Sequence, residues 1–130
     1  MTIYPCTIGL GSNTGNREEN IKRAIDFLQS ILSDTEVSSI YESPAFNGVD
    51  GPYLNAVVHG FTSIEPEELI NKLKSWEESE GREKNGHGEV VIDLDLVIYN
   101  FRILRQEDFE RHYFNKGYRE LLARGTYVSK

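Results

Sequence analysis

Asp93 and Asp95 are the side chains of this sequence whose type and spacing are best suited to chemistry. They alternate with Ile92, Leu94 and Leu96, and successive residues of a β-strand point to opposite faces. A strand here buries the three aliphatic residues and presents both carboxylates on the other face. Adjacent carboxylates repel each other unless a proton or cation lies between them, and Mg2+ prefers one or two carboxylates with phosphate oxygens. The pair is therefore a candidate metal–triphosphate site, although a solvated strand face gives the same short pattern.

A second candidate feature is the pair of cations Arg82 and Lys84, which follow Gly81 and precede the acidic strand. A guanidinium group can stabilise a phosphoryl group during its transfer. Cations at the end of a helix also complement the helix dipole. The segment alone leaves both explanations open.

The third feature is Tyr53 with Asn55, two residues apart and so on one face of a predicted strand. An aromatic ring beside an amide, which has both donors and an acceptor, suits a flat heterocyclic ligand. A half-buried sheet position is the alternative explanation for Tyr53.

The elements that must position these residues follow from hydrophobic periodicity and turn signals. We predict strands at 3–10, 35–41, 53–62 and 90–99, helices at 17–32 and from Pro66 to just before Gly81, and a short helix at 117–124. Asn16, with Glu19 three residues later, is a capping-box pattern for the first helix. This β-α-β-β-α-β order predicts an α/β (α+β) sandwich of the ferredoxin-like type, with a four-stranded antiparallel sheet and both helices on one face. The other face should be free to hold ligands.

Several further features of the sequence are interpreted as structural. The segment 9–15 contains three glycines but matches no phosphate-loop pattern, and we interpret it as a strand-to-helix turn. His59 lies inside a predicted strand. The acidic run 77–80 has the pattern of a solvated helix face.

Composition sets limits on the function. The 130 residues suit one domain, 1–130, and a net charge of −7 argues against nucleic acid as a partner. Cys6 is the single cysteine, which excludes an internal disulfide and indicates a reduced, cytoplasmic setting. No apolar run approaches the ~20 residues of a membrane helix, and the first residues lack the pattern of a signal peptide. We expect a monomer with no membrane partner.

Taken in order, these segments resemble the 6-hydroxymethyl-dihydropterin pyrophosphokinase family of folate synthesis. The matching stretches are Leu10-Gly11-Ser12-Asn13 with Gly15 and Arg17, the run 37–44, the run 53–58, the run 66–69, Gly81-Arg82 and the run 92–96. They appear in the family's order and at nearly its spacing across residues 8–99. The resemblance also implies the fold derived above.

The resemblance implies a reaction in which a dihydropterin alcohol attacks the β-phosphorus of ATP and AMP leaves. It implies that Arg82, Asp93 and Asp95 are catalytic and that both aspartates hold two Mg2+ ions. The substrate pocket would be lined by Ser43, Pro44, Phe46, Tyr53, Asn55 and Tyr118. The ATP site would be formed by Glu77, Arg82, Lys84, His112 and Lys116.

The loop before the acidic strand departs from the family pattern. His87 replaces the family's tryptophan, Val90 replaces an arginine, and Lys84 replaces a second arginine. Three hypotheses stay open: a working pyrophosphokinase with a divergent loop, a non-catalytic relative that binds pterin or nucleotide, and an enzyme of this fold with another alcohol acceptor.

Overall fold

The computed structural model describes residues 2–44, 51–81 and 90–126. The strands are β1 (Tyr4–Ser12), β2 (Ser33–Val37), β3 (Tyr41–Ser43), β4 (Tyr53–Thr62), β5 (Asp93–Tyr99) and β6 (Arg102–Ile103). The helices are α1 (Arg17–Ile31), α2 (Pro66–Ser79), α3 (Gln106–Glu110) and α4 (His112–Ala123). The predicted order of elements is present, with the second predicted strand divided in two.

Local sequence signals account for several of these boundaries. The side chain of Asn16 accepts a hydrogen bond of 3.1 Å from the backbone N–H of Glu19, which caps α1 as predicted. Pro66 stands at the start of α2. At Ser38 the chain leaves β2 but keeps contact with β4. The Ser38 N–H donates to the Val57 carbonyl at 2.9 Å, and the Ser38 hydroxyl accepts from the Val57 N–H at 2.8 Å.

The strands form one antiparallel sheet in the order β2-β4-β1-β5-β6, with β3 also paired to β4. This confirms the predicted α+β class with an antiparallel sheet. In the described part of the chain the sheet has six strands rather than four, because the second predicted strand is split and β6 is added. The first strand, β1, lies at the centre, between β4 and β5.

The main core lies between the sheet and the helices α1 and α2, which share one face as predicted. Its buried residues include Ile21, Ala24 and Leu28 of α1, Leu69 and Leu73 of α2, and Ile8, Leu10, Ala56, Val58, Leu94 and Leu96 of the strands. A smaller cluster on the other face joins Val57 and Val97 to Phe114 and Leu121 of α4. That face is therefore partly covered by α4 rather than entirely free.

The helix α4 begins at His112, earlier than the predicted 117, and approaches the sheet closely at Gly117. A Cβ atom at Gly117 would lie 2.6 Å from Cγ2 of Val57 and 3.0 Å from the hydroxyl of Tyr41. The Gly117 N–H donates to that hydroxyl at 3.1 Å. A larger residue would push α4 away from β4.

None of the helices described is both long and apolar enough to cross a bilayer.

Candidate active site

The acidic pair emerges on the sheet face that α1 and α2 do not cover. Ile92, Leu94 and Leu96 are buried in the main core, whereas the side chains of Asp93 and Asp95 are 33% and 17% exposed on the opposite face. The alternation predicted from the sequence is confirmed at these positions. The two carboxylates therefore face one pocket, separated by a single residue.

The floor of this pocket is made by two glycines of the central strand. Gly11 pairs with Asp93 on one side and Asn55 on the other, and Gly9 pairs with Asp95 and Val57. A Cβ atom at Gly11 would lie 3.3 Å from the Tyr53 ring, and one at Gly9 would lie 3.1 Å from the Phe114 ring. Because neither glycine has a side chain, the space above β1 is free for a ligand between the side chains of β5 and those of β4. The sequence showed this as glycines two residues apart in a strand, a signal that the turn interpretation overlooked.

Across the floor from the acidic pair lies Asn55, which is 2% exposed. Its Nδ2 donates to the Ser43 hydroxyl at 2.8 Å and to the Tyr41 carbonyl at 3.2 Å. Both donors of the amide are used within the protein, and Oδ1 lies 3.6 Å from the position that a Cβ at Gly11 would take. This orientation of the amide follows from the hydrogen-bond network. It leaves an acceptor directed toward the pocket floor.

The resulting cavity has a volume of about 320 Å³, within the range of small-molecule sites. Of the predicted residues, Ser43, Pro44, Tyr53, Asn55, Asp93 and Asp95 line it. The tail of the chain adds Arg105, Glu107, Asp108, Arg111, Tyr113 and Phe114. The structure thus brings together the predicted acidic pair and the predicted aromatic–amide side of the pocket.

The far wall of the cavity is a small polar network from α3 and α4. Arg105 Nε and the Tyr113 hydroxyl both donate to the carboxylate of Asp108, and Arg105 Nη2 lies 3.7 Å from Oδ1 of Asp95. Burial, followed by the hydrogen bond to Asp108, raises the pKa of Tyr113. Asp108 and Tyr113 were not predicted, because the sequence pattern indicated only the last part of the tail helix.

Glu77 occupies a different place from the solvated face that its acidic neighbours suggested. Its side chain is fully buried, with Oε1 accepting from the Leu94 N–H at 2.9 Å. Lys74, one helical turn earlier, donates to the Leu94 carbonyl at 3.3 Å and lies 3.2 Å from Glu77. The two residues satisfy the backbone N–H and carbonyl of Leu94. The solvated-face interpretation is wrong for Glu77, because α2 packs on β5 at this residue.

The electrostatics of the acidic pair favour a bound cation. Burial raises the pKa of Asp95 to about 6, and repulsion from Asp93 adds to this, while Lys74 and Arg105 oppose it. Burial likewise raises the pKa of Glu77 to about 7, with Asp93 again adding to the increase. A nearby cation relieves such repulsion by favouring the charged carboxylates.

The donor set fits magnesium bound together with phosphate. Asp93 and Asp95 supply two carboxylates on one pocket face, and Mg2+ commonly takes one or two carboxylates plus substrate phosphates. Among residues 2–44, 51–81 and 90–126, no cluster of three or more metal-binding side chains is found.

Three predicted residues of α4 lie away from this cavity. Tyr118 packs against Phe109 and Phe114, with ring centroids 5.2 and 5.7 Å apart, and lines a second, smaller cavity. The Lys116 ammonium lies 5.4 Å from the centroid of the Tyr41 ring. His112 meets the same ring edge-on at 6.4 Å.

Three other predicted residues, Phe46, Arg82 and Lys84, lie outside the described residues. Val90, the first described residue after two of them, is bound to the segment that follows β1. The Asn13 N–H donates to the Val90 carbonyl at 2.9 Å, and the Asn13 Oδ1 accepts from the Val90 N–H at 2.6 Å. Asn13 thus fixes the position of Val90, three residues before β5 begins.

Fold and site together define an α+β protein with an antiparallel sheet. On the sheet face away from α1 and α2, a cavity holds an acidic pair on one side and Asn55 with Tyr53 on the other. The model of the 7,8-dihydro-6-hydroxymethylpterin-pyrophosphokinase (HPPK) family matches residues 7–123. The chain belongs to this family.

Individual relatives agree with this assignment. The chain is 38% identical over 106 residues to a 2-amino-4-hydroxy-6-hydroxymethyldihydropteridine pyrophosphokinase of Aquifex aeolicus, covering 80% of this chain and 64% of that protein. The protein of the same name from Haemophilus influenzae is 32% identical over 127 residues, covering 94% of this chain and 77% of the relative. A folate synthesis bifunctional protein of Arabidopsis thaliana is 40% identical over 102 residues, covering 75% of this chain but only 21% of that protein.

Proposed function

We propose that the protein transfers pyrophosphate from ATP to 6-hydroxymethyl-dihydropterin in a magnesium-dependent reaction. The observation that carries this proposal is the cavity in which the acidic pair faces Asn55 and Tyr53 across the floor formed by Gly9 and Gly11. One side is suited to a metal–triphosphate and the other to a flat heterocycle. The names of the two pyrophosphokinase relatives support the same reaction.

In this proposal the protein acts by positioning the two substrates. Asn55 Oδ1 accepts a hydrogen bond from the pterin ring, and Tyr53 packs against the ring face. The hydroxymethyl oxygen forms a bond to the β-phosphorus, the bond from that phosphorus to the α–β bridging oxygen breaks, and AMP leaves. The hydroxyl proton is released. Such transfers depend chiefly on alignment and on neutralising charge.

Asp93 and Asp95 would hold the magnesium, for which we propose two ions. Bound metal supplies neutralisation of the negative charge on the triphosphate. Arg105, beside Asp95, is a further cation at this end of the cavity. Arg82 remains our candidate for a catalytic cation on the triphosphate.

The remaining predicted roles are also part of the proposal. Phe46 and Tyr118 would contribute to pterin binding, and Glu77, Lys84, His112 and Lys116 to the ATP site. A monomer that binds no nucleic acid, in a reduced cytoplasmic setting, remains our expectation for the protein.

A non-catalytic pterin- or nucleotide-binding role is the second candidate. The observation that favours it is Val90, which stands where the resemblance places an arginine. The backbone N–H and carbonyl of Val90 are both bound by Asn13, so the position that lacks the guanidinium is fixed relative to the end of β1.

The test is the formation of AMP from ATP with magnesium and the pterin alcohol, separated and quantified by chromatography. We expect AMP only when both substrates are present. Asp95→Asn should reduce its formation by about 10²-fold or more, because one charge at the metal site is lost. Asp26→Asn changes an exposed carboxylate of α1 and should have no effect. Absence of AMP at high protein concentration, alongside measurable pterin binding, would instead support the non-catalytic role.

A further inference from the structure

Lys74 extends from α2 to the acidic pair at the edge of β5, and the proposed reaction gives it no role. Its Nζ lies 3.2 Å from Oε2 of Glu77, 3.5 Å from Oδ1 of Asp95 and 3.9 Å from Oδ1 of Asp93. It also donates to the Leu94 carbonyl at 3.3 Å. One ammonium group therefore approaches three carboxylates, including both members of the acidic pair.

These are the two carboxylates that a divalent ion shared by the aspartates would also bind. An ammonium within 4 Å of one oxygen from each aspartate neutralises part of their repulsion. A metal ion that enters must either share these oxygens with a nearby positive charge or displace it. Both alternatives weaken metal binding, because like charges at such short distances repel strongly.

We propose that Lys74 is an internal counter-ion that makes divalent metal binding at Asp93 and Asp95 depend on the nucleotide. The inference rests on the proposed function of this site. Without nucleotide, the ammonium balances the carboxylates and opposes the metal. With nucleotide, the phosphates bring negative charge that can attract both the metal and the ammonium.

The structure gives Lys74 the freedom that this exchange requires. Its side chain is 43% exposed, whereas that of Glu77 is fully buried. A lysine has a flexible stem and a compact charge that can turn between partners. Glu77 also accepts from the Leu94 N–H, so it keeps a partner when the ammonium moves. Lys74 is thus a positioning residue for the metal.

The experiment is a titration with Mn2+, followed by electron paramagnetic resonance, in the absence and presence of a non-hydrolysable ATP analogue. Lys74→Met should bind Mn2+ about tenfold more tightly than the unmodified protein when no nucleotide is present. The increase in Mn2+ affinity caused by the analogue should become smaller by a similar factor. Lys72→Met, an equal loss of charge at an exposed position of the same helix, should leave both affinities unchanged.

Two further variants make the result decisive. Lys74→Gln removes the charge but retains a donor for the Leu94 carbonyl, and it should reproduce the tighter binding if charge is the cause. Asp95→Asn in the Lys74→Met background should abolish the gain. Unchanged or weaker Mn2+ binding by both Lys74 variants, with native circular dichroism, would overturn the inference. AMP formation by the unmodified protein is measured separately, so failure of the proposed reaction is distinguishable from failure of the counter-ion role.

Discussion

Replacing Gly11 by alanine should impair pterin binding while leaving the fold almost equally stable. The new Cβ would lie 3.3 Å from Cδ2 of the Tyr53 ring and 3.6 Å from Oδ1 of Asn55. Ordinary contact requires the half-buried Tyr53 ring to move by only a few tenths of an ångström. This small cost is offset because alanine lowers the conformational entropy of the unfolded chain, which stabilises the folded protein by roughly 0.5–1 kcal/mol. The net change in the free energy of unfolding should therefore stay within about 1 kcal/mol.

The effect on the site should be much larger, because the methyl group raises the pocket floor by about 1.5 Å. Displacement of a bound substrate by about 1 Å can cost on the order of 10²-fold in rate. We expect a 10- to 100-fold loss in kcat/KM for the pterin, or about 1.4–2.8 kcal/mol. Urea unfolding measures the stability, and AMP formation at varied pterin concentration measures the loss.

Gly60→Ala is the matched control, since it is the same substitution in a strand but on the helix-facing side. Its Cβ would lie 3.0 Å from the Leu32 side chain and 3.2 Å from that of Thr35. It should destabilise the protein by about 1–3 kcal/mol through overpacking and leave kcat/KM unchanged. If Gly11→Ala kept kcat/KM within twofold of the unmodified protein, the glycine floor would not be where the pterin lies.

Two other predictions concern charge, one at Glu77 and one at Val90. Burial raises the pKa of Glu77 from 4.5 to about 7, so protonation stabilises the fold fully below pH 4.5, and this contribution is lost as the pH rises toward 7. Glu77→Gln mimics the protonated group. Its free energy of unfolding should therefore rise by on the order of 2 kcal/mol, relative to that of the unmodified protein, between pH 5 and pH 7.5. Urea unfolding in EDTA measures both free energies, and a difference that does not change with pH would contradict the prediction. Val90→Arg should raise the rate of AMP formation about tenfold, because it restores a guanidinium at this position. The uncharged Val90→Gln should not raise the rate. If Val90→Arg and the unmodified protein had equal rates, residue 90 would not lie at the triphosphate.

The sequence predicted those parts of the fold and site that depend on short-range periodicity. Alternation along 92–96 determined which face Asp93 and Asp95 occupy, and the pattern at 53–58 did the same for Tyr53 and Asn55. The capping pattern at Asn16 correctly located the start of α1. In each case residues close in sequence determine the structure, because the period of a strand or helix fixes the direction of each side chain.

Features that depend on how separate elements pack were not predictable in this way. Glu77 stands in an acidic run, and its burial arises only because α2 packs on the edge of β5. Lys74 likewise reaches the aspartates only through that packing. The wall formed by Asp108 and Tyr113 depends on where the tail crosses the sheet, for which the sequence offers no periodic signal.

The position of the acidic pair depends on α2 as well as on the sheet. On one side β5 is paired to β1, but β6 pairs only with Ile98 and Tyr99. At Leu94, between the two aspartates, the outward N–H and carbonyl are bound by Glu77 and Lys74. The helix therefore satisfies the strand edge and supplies charges beside both carboxylates. A shift of α2 must alter the backbone that carries the aspartates and the field around them together, which is why substitutions at these two helix positions should affect metal binding and stability at once.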